Sequence, residues 1–318
     1  MIGQYRFKDL ISSSFIVVTI LITILTITGY LGKFNYILDL TAHFKVQYLV
    51  IGFCTFFFFL LTHNKLWWVI SLACILLNLM EIVPWYFPQS ASAIETANGQ
   101  LRIFQSNVLY KNKRYSKVIS LVREEKPDIA VFIEVSKVWA KELTALKDIL
   151  PYSVVSQDYN NFGTALFSKY PLENVSFEQF QGSKKTIVAT IKYQGKEVIL
   201  MGTHPNYPLK KIGFRYRNSQ LEAMADYLVN VNNPVLLMGD FNVTMWSPIY
   251  QRFVEKTKLK NGRVGFGVQP TWPNFMPLVA IPIDHCLVSP NIQVIKSRIG
   301  RDVGSDHLPI ITDLAIGD

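Results

Sequence analysis

Between Asp9 and Lys33 the chain runs for 23 residues without a charged side chain, through FIVVTILITILTITGYLG. A spanning helix needs about 20 mostly apolar residues, so this run is long enough to cross a bilayer. Val46 to Thr62 is a second uncharged run of 17 residues, greasiest from Phe56 to Leu61. Leu66 to Phe87 is a third; its one charge is Glu81, and Trp67, Trp68, Trp85 and Tyr86 flank it as an interfacial aromatic belt would. The first run exceeds the apolar core of a secretory signal, lacks a clear small-residue cleavage site and is followed by more apolar sequence, which favours an uncleaved anchor. Three spans, at about 12–32, 46–62 and 66–87, make residues 1–98 a multi-pass anchor and linker, integral to the cell membrane. With the N-terminus inside, Arg6, Lys8 and Lys65 lie on the inner side against Lys33 and Lys45 outside. That small bias directs the rest of the chain to the extracytoplasmic side.

The anchor resolves an odd composition. The 318 residues are 50% hydrophobic with a mean hydropathy of +0.21, yet the formal charge is +9. Residues 1–98 hold five Lys/Arg and four Asp/Glu, and the remainder holds 27 and 19, so the greasy part and the basic part are different parts. A disordered chain, a collagen-like fibre and a disulfide scaffold are excluded. Cys54 and Cys74 fall in the apolar runs, leaving Cys286 without an intradomain partner. Pro88 to Gln100 reads as a short polar linker.

From Leu101 strand and helix patterns alternate. LRIFQSNV and IAVFIEV read as strands, separated by a helix carrying Tyr115, Val118, Ile119 and Val122 at helical spacing. Ser136 is placed to cap a helix bearing Val138, Trp139, Leu143 and Leu146. Later strands are expected at 163–168, 186–192, 197–203, 234–239, 282–289 and 309–314, with a helix around 213–231. This describes one α/β or α+β domain, residues 99–318. Polar residues recur where apolar runs stop: Asn107, Glu134, His204, Asp240 and Asn242 in GDFN, Asp284 after IPI, and Asp306-His307 before LPIIT. Strand ends are where α/β folds gather their chemistry.

The ordered string N–E–GTALFSKYPL–TH–GDFN–TW–IDH–SDHLP, from Leu101 to Leu314, resembles the endonuclease/exonuclease/phosphatase superfamily. The resemblance implies an α/β four-layer sandwich, two packed mixed β-sheets flanked by helices, here preceded by about three transmembrane helices. It implies a phosphoester hydrolase. Glu134 would be the main Mg²⁺ ligand, with Asn107 and Asp306 completing the site; Mn²⁺ is an acceptable substitute. Asp240 would orient and deprotonate the attacking water, and Asn242 would help hold it. Asp284 would fix the tautomer of His307, whose charged form stabilises the transition state, and His204 would donate to a phosphate oxygen. Abasic-site endonucleases carry an acidic residue two positions after the Asn; Leu109 stands there instead, which removes support for abasic repair.

Each of these residues alone would read as a turn or surface residue; together and in order they outweigh that reading. Arg217 is expected on a helix surface or in a structural salt bridge, His285 in local packing, Thr271-Trp272-Pro273 in a turn near the site, and Ser168–Pro171 in a strand-end turn. Basic clusters follow the site strands: Lys111, Lys113, Arg114 and Lys117; Lys210, Lys211 and Arg215; and Lys256 to Arg263. They favour a polyanionic phosphoester substrate, nucleic acid slightly ahead of phospholipid, sphingomyelin or another phosphorylated lipid. The apolar run Phe275–Ile283 beside Asp284 could meet a lipid, but burial in the sandwich is the favoured expectation. A membrane-tethered binding module without catalysis is the contrasting class, disfavoured by the intact residue set. No obligate protein partner is expected.

Overall fold

The computed structural model describes residues 2–88, 100–156, 162–182 and 184–317, with side chains from residue 9 onward. Most of the Pro88–Gln100 linker lies outside the described residues. The chain divides into two compact units, Met1–Pro84 with Trp246–Ile249, and Trp85–Met245 with Tyr250–Asp318.

The first unit is helical: α1 (Ile2–Gly29), a short α2 (Tyr36–Thr41), α3 (Lys45–Leu61) and α4 (Lys65–Ile82). Three stretches are long and apolar enough to cross a membrane, Asp9–Gly29, Tyr36–Leu61 and Lys65–Tyr86. The first stops three residues before the expected boundary because Tyr30–Phe34 turn. The second begins ten residues earlier than Val46, because α2 and a single 3₁₀ turn lead directly into α3. Polar side chains face one another between helices. Asn78 Nδ2 donates to Thr26 Oγ1 at 3.0 Å, and Thr55 Oγ1 to Ser71 Oγ at 3.0 Å. Apolar side chains such as Leu10, Val17, Leu61 and Met80 point outward and exposed.

The second unit holds two six-stranded mixed sheets. The first contains β1 (Leu101–Asn107), β2 (Ile129–Val135), β3 (Tyr152–Ser156), β4 (Gly163–Ser168), β11 (Ile292–Ile299) and β12 (Ile310–Ile316), in the order β11-β12-β1-β2-β4-β3. The second contains β5 (Glu173–Glu178), β6 (Thr186–Tyr193), β7 (Lys196–Thr203), β8 (Val235–Asp240), β9 (Lys260–Asn261) and β10 (Asp284–Val288), in the order β5-β6-β7-β8-β10-β9. Alternate residues build the core between the sheets: Ile103, Val131 and Leu166 from one face, Ile187, Leu200, Leu236 and Met238 from the other. The intervening residues Phe104, Phe132 and Phe167 pack outward with Val118, Leu121 and Trp139, the last two elements being α5 (Tyr115–Glu125) and α6 (Lys137–Glu142). Central strands buried on both faces explain the near-continuous apolar runs. Ser136 caps α6 as expected, its Oγ accepting from Trp139 N at 3.2 Å. α7 (Lys211–Leu228) and α8 (Pro248–Thr257) bury Phe214, Met224, Tyr250 and Phe253. The result is the expected four-layer sandwich.

Each sheet contains one parallel pair, β1–β2 and β7–β8, and the antiparallel β12 and β10 run beside them. This explains one departure from the sequence pattern. Asp284 begins β10 rather than ending a strand, and because β10 is antiparallel to β8 its first residue pairs with the last residue of β8, Asp240. The start of one strand and the end of the other meet at one sheet edge. Gly239, one step earlier, pairs with Thr203 at φ +154°, and a Cβ there would collide with the Thr203 carbonyl. Its own carbonyl accepts from Gln105 Nε2 of the other sheet at 2.8 Å. Gly239→Ala is therefore expected to lower stability by at least about 2 kcal/mol in thermal unfolding of the detergent-solubilised chain. A wild-type melting temperature in that variant would show that the close approach is not needed.

Candidate active site

Asp240 is the centre of the site. It is buried, and its Oδ2 accepts from Asn107 Nδ2 at 3.2 Å and lies 3.6 Å from His204 Nε2 and 3.7 Å from His307 Nε2. His307 Nδ1 lies 2.8 Å from Asp284 Oδ2, and Asn107 Nδ2 3.4 Å from His307 Nε2. Ser305 fastens the loop that carries His307: its Oγ donates to Asn107 O at 2.7 Å and accepts from His307 N at 3.1 Å. Asn242 N donates to Asp240 Oδ1 at 2.9 Å, and Asn242 Nδ2 to Pro205 O at 3.0 Å. Asn107, His204, Asp240, Asn242, Asp284 and His307 thus converge from both sheets on one edge.

Glu134 and Asp306 flank this group. Glu134 sits at φ +62°, beside a register shift between Ile133 and Val135 where β2 pairs with β4. A bulge of this kind re-aims a side chain. Glu134 Oε1 is 4.0 Å from His204 Nε2. Among the described residues its oxygens accept only long bonds, from Asn107 Nδ2 and Tyr110 N, both at 3.4 Å. A carboxylate with such poorly satisfied oxygens suits a hard cation, which takes oxygen donors. Asp306 Oδ2 accepts from Trp272 Nε1 at 3.1 Å. Asn107 turns its amide nitrogen toward the carboxylates and its Oδ1 toward Leu109 N at 3.1 Å, so ligation through oxygen needs an amide flip. Among the described residues, Asp240, Asp284 and His307 form a group whose ligand-type atoms all lie within 4.8 Å of one another. The direct Asp284–His307 bond marks that trio as a hydrogen-bonded dyad beside a carboxylate rather than a cage for an ion.

Charge in this dry edge is strongly coupled. Burial pushes Asp240 well above the usual carboxylate range, and Asp284 and Glu134 push it further while His307 opposes them. Burial also disfavours a charged His307, but Asp284 and Asp240 outweigh it and hold the imidazole protonated. Burial, then Lys184, then His307 drive His204 well below 6.5, so it stays neutral and can offer one N–H.

Lys184 gives no sequence signal, since it lies in no motif. Its Nζ is 3.1 Å from each ring nitrogen of His204 and 5.7 Å from the Phe162 ring centroid. Arg217 corrects the helix-surface expectation. It is fully buried, and its Nη1 donates to Asn242 O at 3.1 Å, bracing the turn at φ +52°. The third basic cluster is only partly free: Lys256 pairs with Glu222 and Asp226 and Arg263 is buried, whereas Lys258 and Lys260 are exposed. The Phe275–Ile283 expectation is half overturned. Ile281 and Ile283 are buried, but Phe275 is 71% and Leu278 89% exposed. Trp272 stands beside the site, its ring 6.3 Å from that of His307, and Ser168 Oγ accepts from Tyr170 N at 2.9 Å in the expected turn.

Residues 98–307 match the model of the Endonuclease/Exonuclease/phosphatase family. The chain belongs to this family and is a metal-dependent phosphoester hydrolase of its nuclease/phosphatase type. Among solved structures, truncated Caenorhabditis elegans TDP2 is similar at TM-score 0.57 and 19% identity, covering 68% of this chain and 97% of that one. The human Nocturnin catalytic domain with bound sulfate anion is similar at TM-score 0.58 and 19% identity, covering 68% and 94%. D. rerio TDP2 complexed with single strand DNA product is similar at TM-score 0.57 and 16% identity, covering 68% and 99%. No curated protein sequence matches the chain.

His285, behind the site, packs locally as expected. Its Nε2 donates to Val243 O at 2.8 Å, and its Nδ1 accepts from Asn261 Nδ2 at 3.0 Å and Arg263 Nη1 at 3.1 Å. Burial and the Arg263 charge push it down to about 3. Below the unfolded value near 6.5, the unfolded chain takes up a proton that the folded one refuses, so this residue's contribution falls as pH falls. The loss is roughly 1.4 kcal/mol per pH unit down to the folded value. Detergent-solubilised His285→Gln is expected to lose less thermal stability than wild type on acidification from neutral pH; parallel losses would contradict a neutral buried His285.

Proposed function

We propose that the chain is a membrane-anchored, Mg²⁺-dependent phosphoesterase that hydrolyses a phosphodiester or phosphomonoester by direct in-line attack of water. The observation that carries this reading is the convergence on Asp240 Oδ2 of Asn107, His204 and His307 within 3.7 Å. A buried carboxylate whose proton affinity is raised toward neutrality is suited to take a proton from water. Asn242 N and Asn107 Nδ2 hold that carboxylate's two oxygens in place.

His307 keeps its charge because Asp284 accepts from Nδ1, which leaves Nε2–H directed at the same point. A fixed cation where negative charge develops on the phosphoryl oxygens stabilises the transition state. Neutral His204 adds a hydrogen bond from the opposite side, and Lys184 adds charge behind it. Glu134, with Asp306 and Asn107, would hold Mg²⁺ or Mn²⁺; Asn107 would ligate through Oδ1 only by giving up its Nδ2 bond to Asp240, which Asn242 N would then hold by itself. When bound, the ion supplies charge neutralisation at the phosphate and the leaving oxygen.

Residues 1–98 are the anchor in this reading, supported by three membrane-length apolar stretches with largely uncovered outer faces. Arg6, Lys8 and Lys65 against Lys33 and Lys45 support an extracytoplasmic hydrolase unit.

The test is hydrolysis of bis(p-nitrophenyl) phosphate and p-nitrophenyl phosphate by the full chain in detergent. Activity is expected with Mg²⁺ or Mn²⁺ and not in EDTA. Asp240→Asn and His307→Ala should each lower kcat by about 10²–10⁴-fold in protein that still folds, and Glu134→Ala should raise the Mg²⁺ requirement. Turnover that persists in EDTA, or in both the Asp240 and the His307 variants, would overturn the reading.

A further inference from the structure

Two apolar projections rise from the residues of the site. The first is Phe275–Val279. Its foot is Trp272, which bonds Asp306 through Nε1, and Asn274, whose N donates to Asp306 O at 2.7 Å. The chain returns at Ile281, which exchanges backbone hydrogen bonds with Trp272. A short 3₁₀ turn at Pro277–Val279 stiffens the tip, so the exposure of Phe275, Met276 and Leu278 belongs to a braced loop.

The second projection follows His204. Pro205 O accepts from Asn242 Nδ2, which ties its foot to the site. Tyr207, Leu209 and Ile212 are more than half exposed, at 58%, 65% and 51%. Lys210 and Lys211 lie among them, also exposed. The bare backbone of Gly213 accommodates the Tyr207 carbonyl where any side chain would collide with it.

Soluble proteins seldom expose clustered large apolar side chains, and such clusters mark surfaces that meet something apolar. Two of the exposed side chains, Phe275 and Tyr207, are aromatic, and the other five, Met276, Leu278, Val279, Leu209 and Ile212, are aliphatic. Nucleic-acid grooves use aromatic faces for stacking and Lys/Arg for phosphates, and aliphatic tips serve neither purpose. Apolar tips beside lysines suit the boundary of a lipid layer, where apolar groups enter the acyl region and cations meet phosphates.

We propose that the substrate is a lipid phosphoester presented at a lipid surface. Phe275–Val279 and Tyr207–Ile212 enter its apolar boundary, and Lys210 and Lys211 meet neighbouring headgroup phosphates. This rests on the phosphoesterase reading above. Water adds its oxygen to phosphorus and gives a proton to Asp240. The phosphorus–oxygen bond to the departing alcohol breaks, and that alcohol takes up a proton.

The experiment uses the full chain with Mg²⁺ in mixed micelles of non-ionic detergent. Three substrates are compared: a phospholipid panel (phosphatidylcholine, phosphatidylglycerol and sphingomyelin), the soluble diester bis(p-nitrophenyl) phosphate, and single-stranded DNA. Hydrolysis of at least one phospholipid is expected, with a rate that rises with its mole fraction in the micelle. The double variant Phe275→Ser/Leu278→Ser should lose roughly tenfold or more of the lipid rate while its soluble-diester turnover stays unchanged. Phe275→Leu/Leu278→Met should keep both rates. Equal lipid rates in wild type and the double serine variant would overturn the proposal. So would DNA as the only macromolecular substrate while the soluble diester is hydrolysed. A wild type that hydrolyses no soluble diester under any metal condition would instead overturn the phosphoesterase reading.

Discussion

The site is organised by the need to keep two buried carboxylates side by side. Asp240 and Asp284 are register partners on adjacent antiparallel strands, and both are almost fully buried. Like charges in a dry environment repel strongly and raise each other's proton affinity. The surrounding residues answer that cost. His307 bonds Asp284 and faces Asp240, Asn107 donates to Asp240, and Asn242 N caps its other oxygen. What is left is an unequal pair: Asp284 is kept charged by its imidazolium partner, and the proton affinity of Asp240 is raised, as the proposed role of a base requires.

Holding that arrangement requires both sheets. Asn107 and Glu134 arrive on the parallel pair β1–β2, His204 and Asp240 on the parallel pair β7–β8. The bond from Gln105 to Gly239 O ties the two pairs together behind the site. Residues distant in sequence, such as Asn107 and His307, are joined because β12 returns antiparallel beside β1. Strained backbone at Glu134 and Asn242 sits at the chemistry, where positive φ in a non-glycine residue aims a side chain that regular strand geometry would direct elsewhere.

Much of this was legible as pattern. Every central strand carries an apolar run, and the polar residues that converge stand where several of those runs stop. The strands that periodicity does not reveal are β3, β5, β9 and β11, the four edges of the two sheets. Edge strands are covered on fewer sides, so ENVSFE and IQVIKSRI keep polar residues that blur the signal. α8 was equally silent, although its Tyr250 and Phe253 are buried. The placement of Asp284 at a strand start, the burial of Arg217 and the approach of Lys184 to His204 depend on tertiary pairing, and no local pattern encodes them. The apolar run Phe275–Ile283 shows the same limit, because composition cannot separate an exposed tip from its buried stem.

The composition therefore divides three ways. Membrane-length helices explain the hydrophobicity, the buried strands of the sandwich add to it, and a minority of apolar residues face outward beside the candidate site. The most direct test of the central claim, water attack on phosphorus without a covalent enzyme intermediate, is stereochemical. A diester hydrolysed by the full chain, made chiral at phosphorus by sulfur substitution and turned over in oxygen-18 water, should give a product with inverted configuration and the label on phosphorus. Net retention would mean two successive displacements through a phosphorylated side chain, and would contradict the roles assigned to Asp240 and His307.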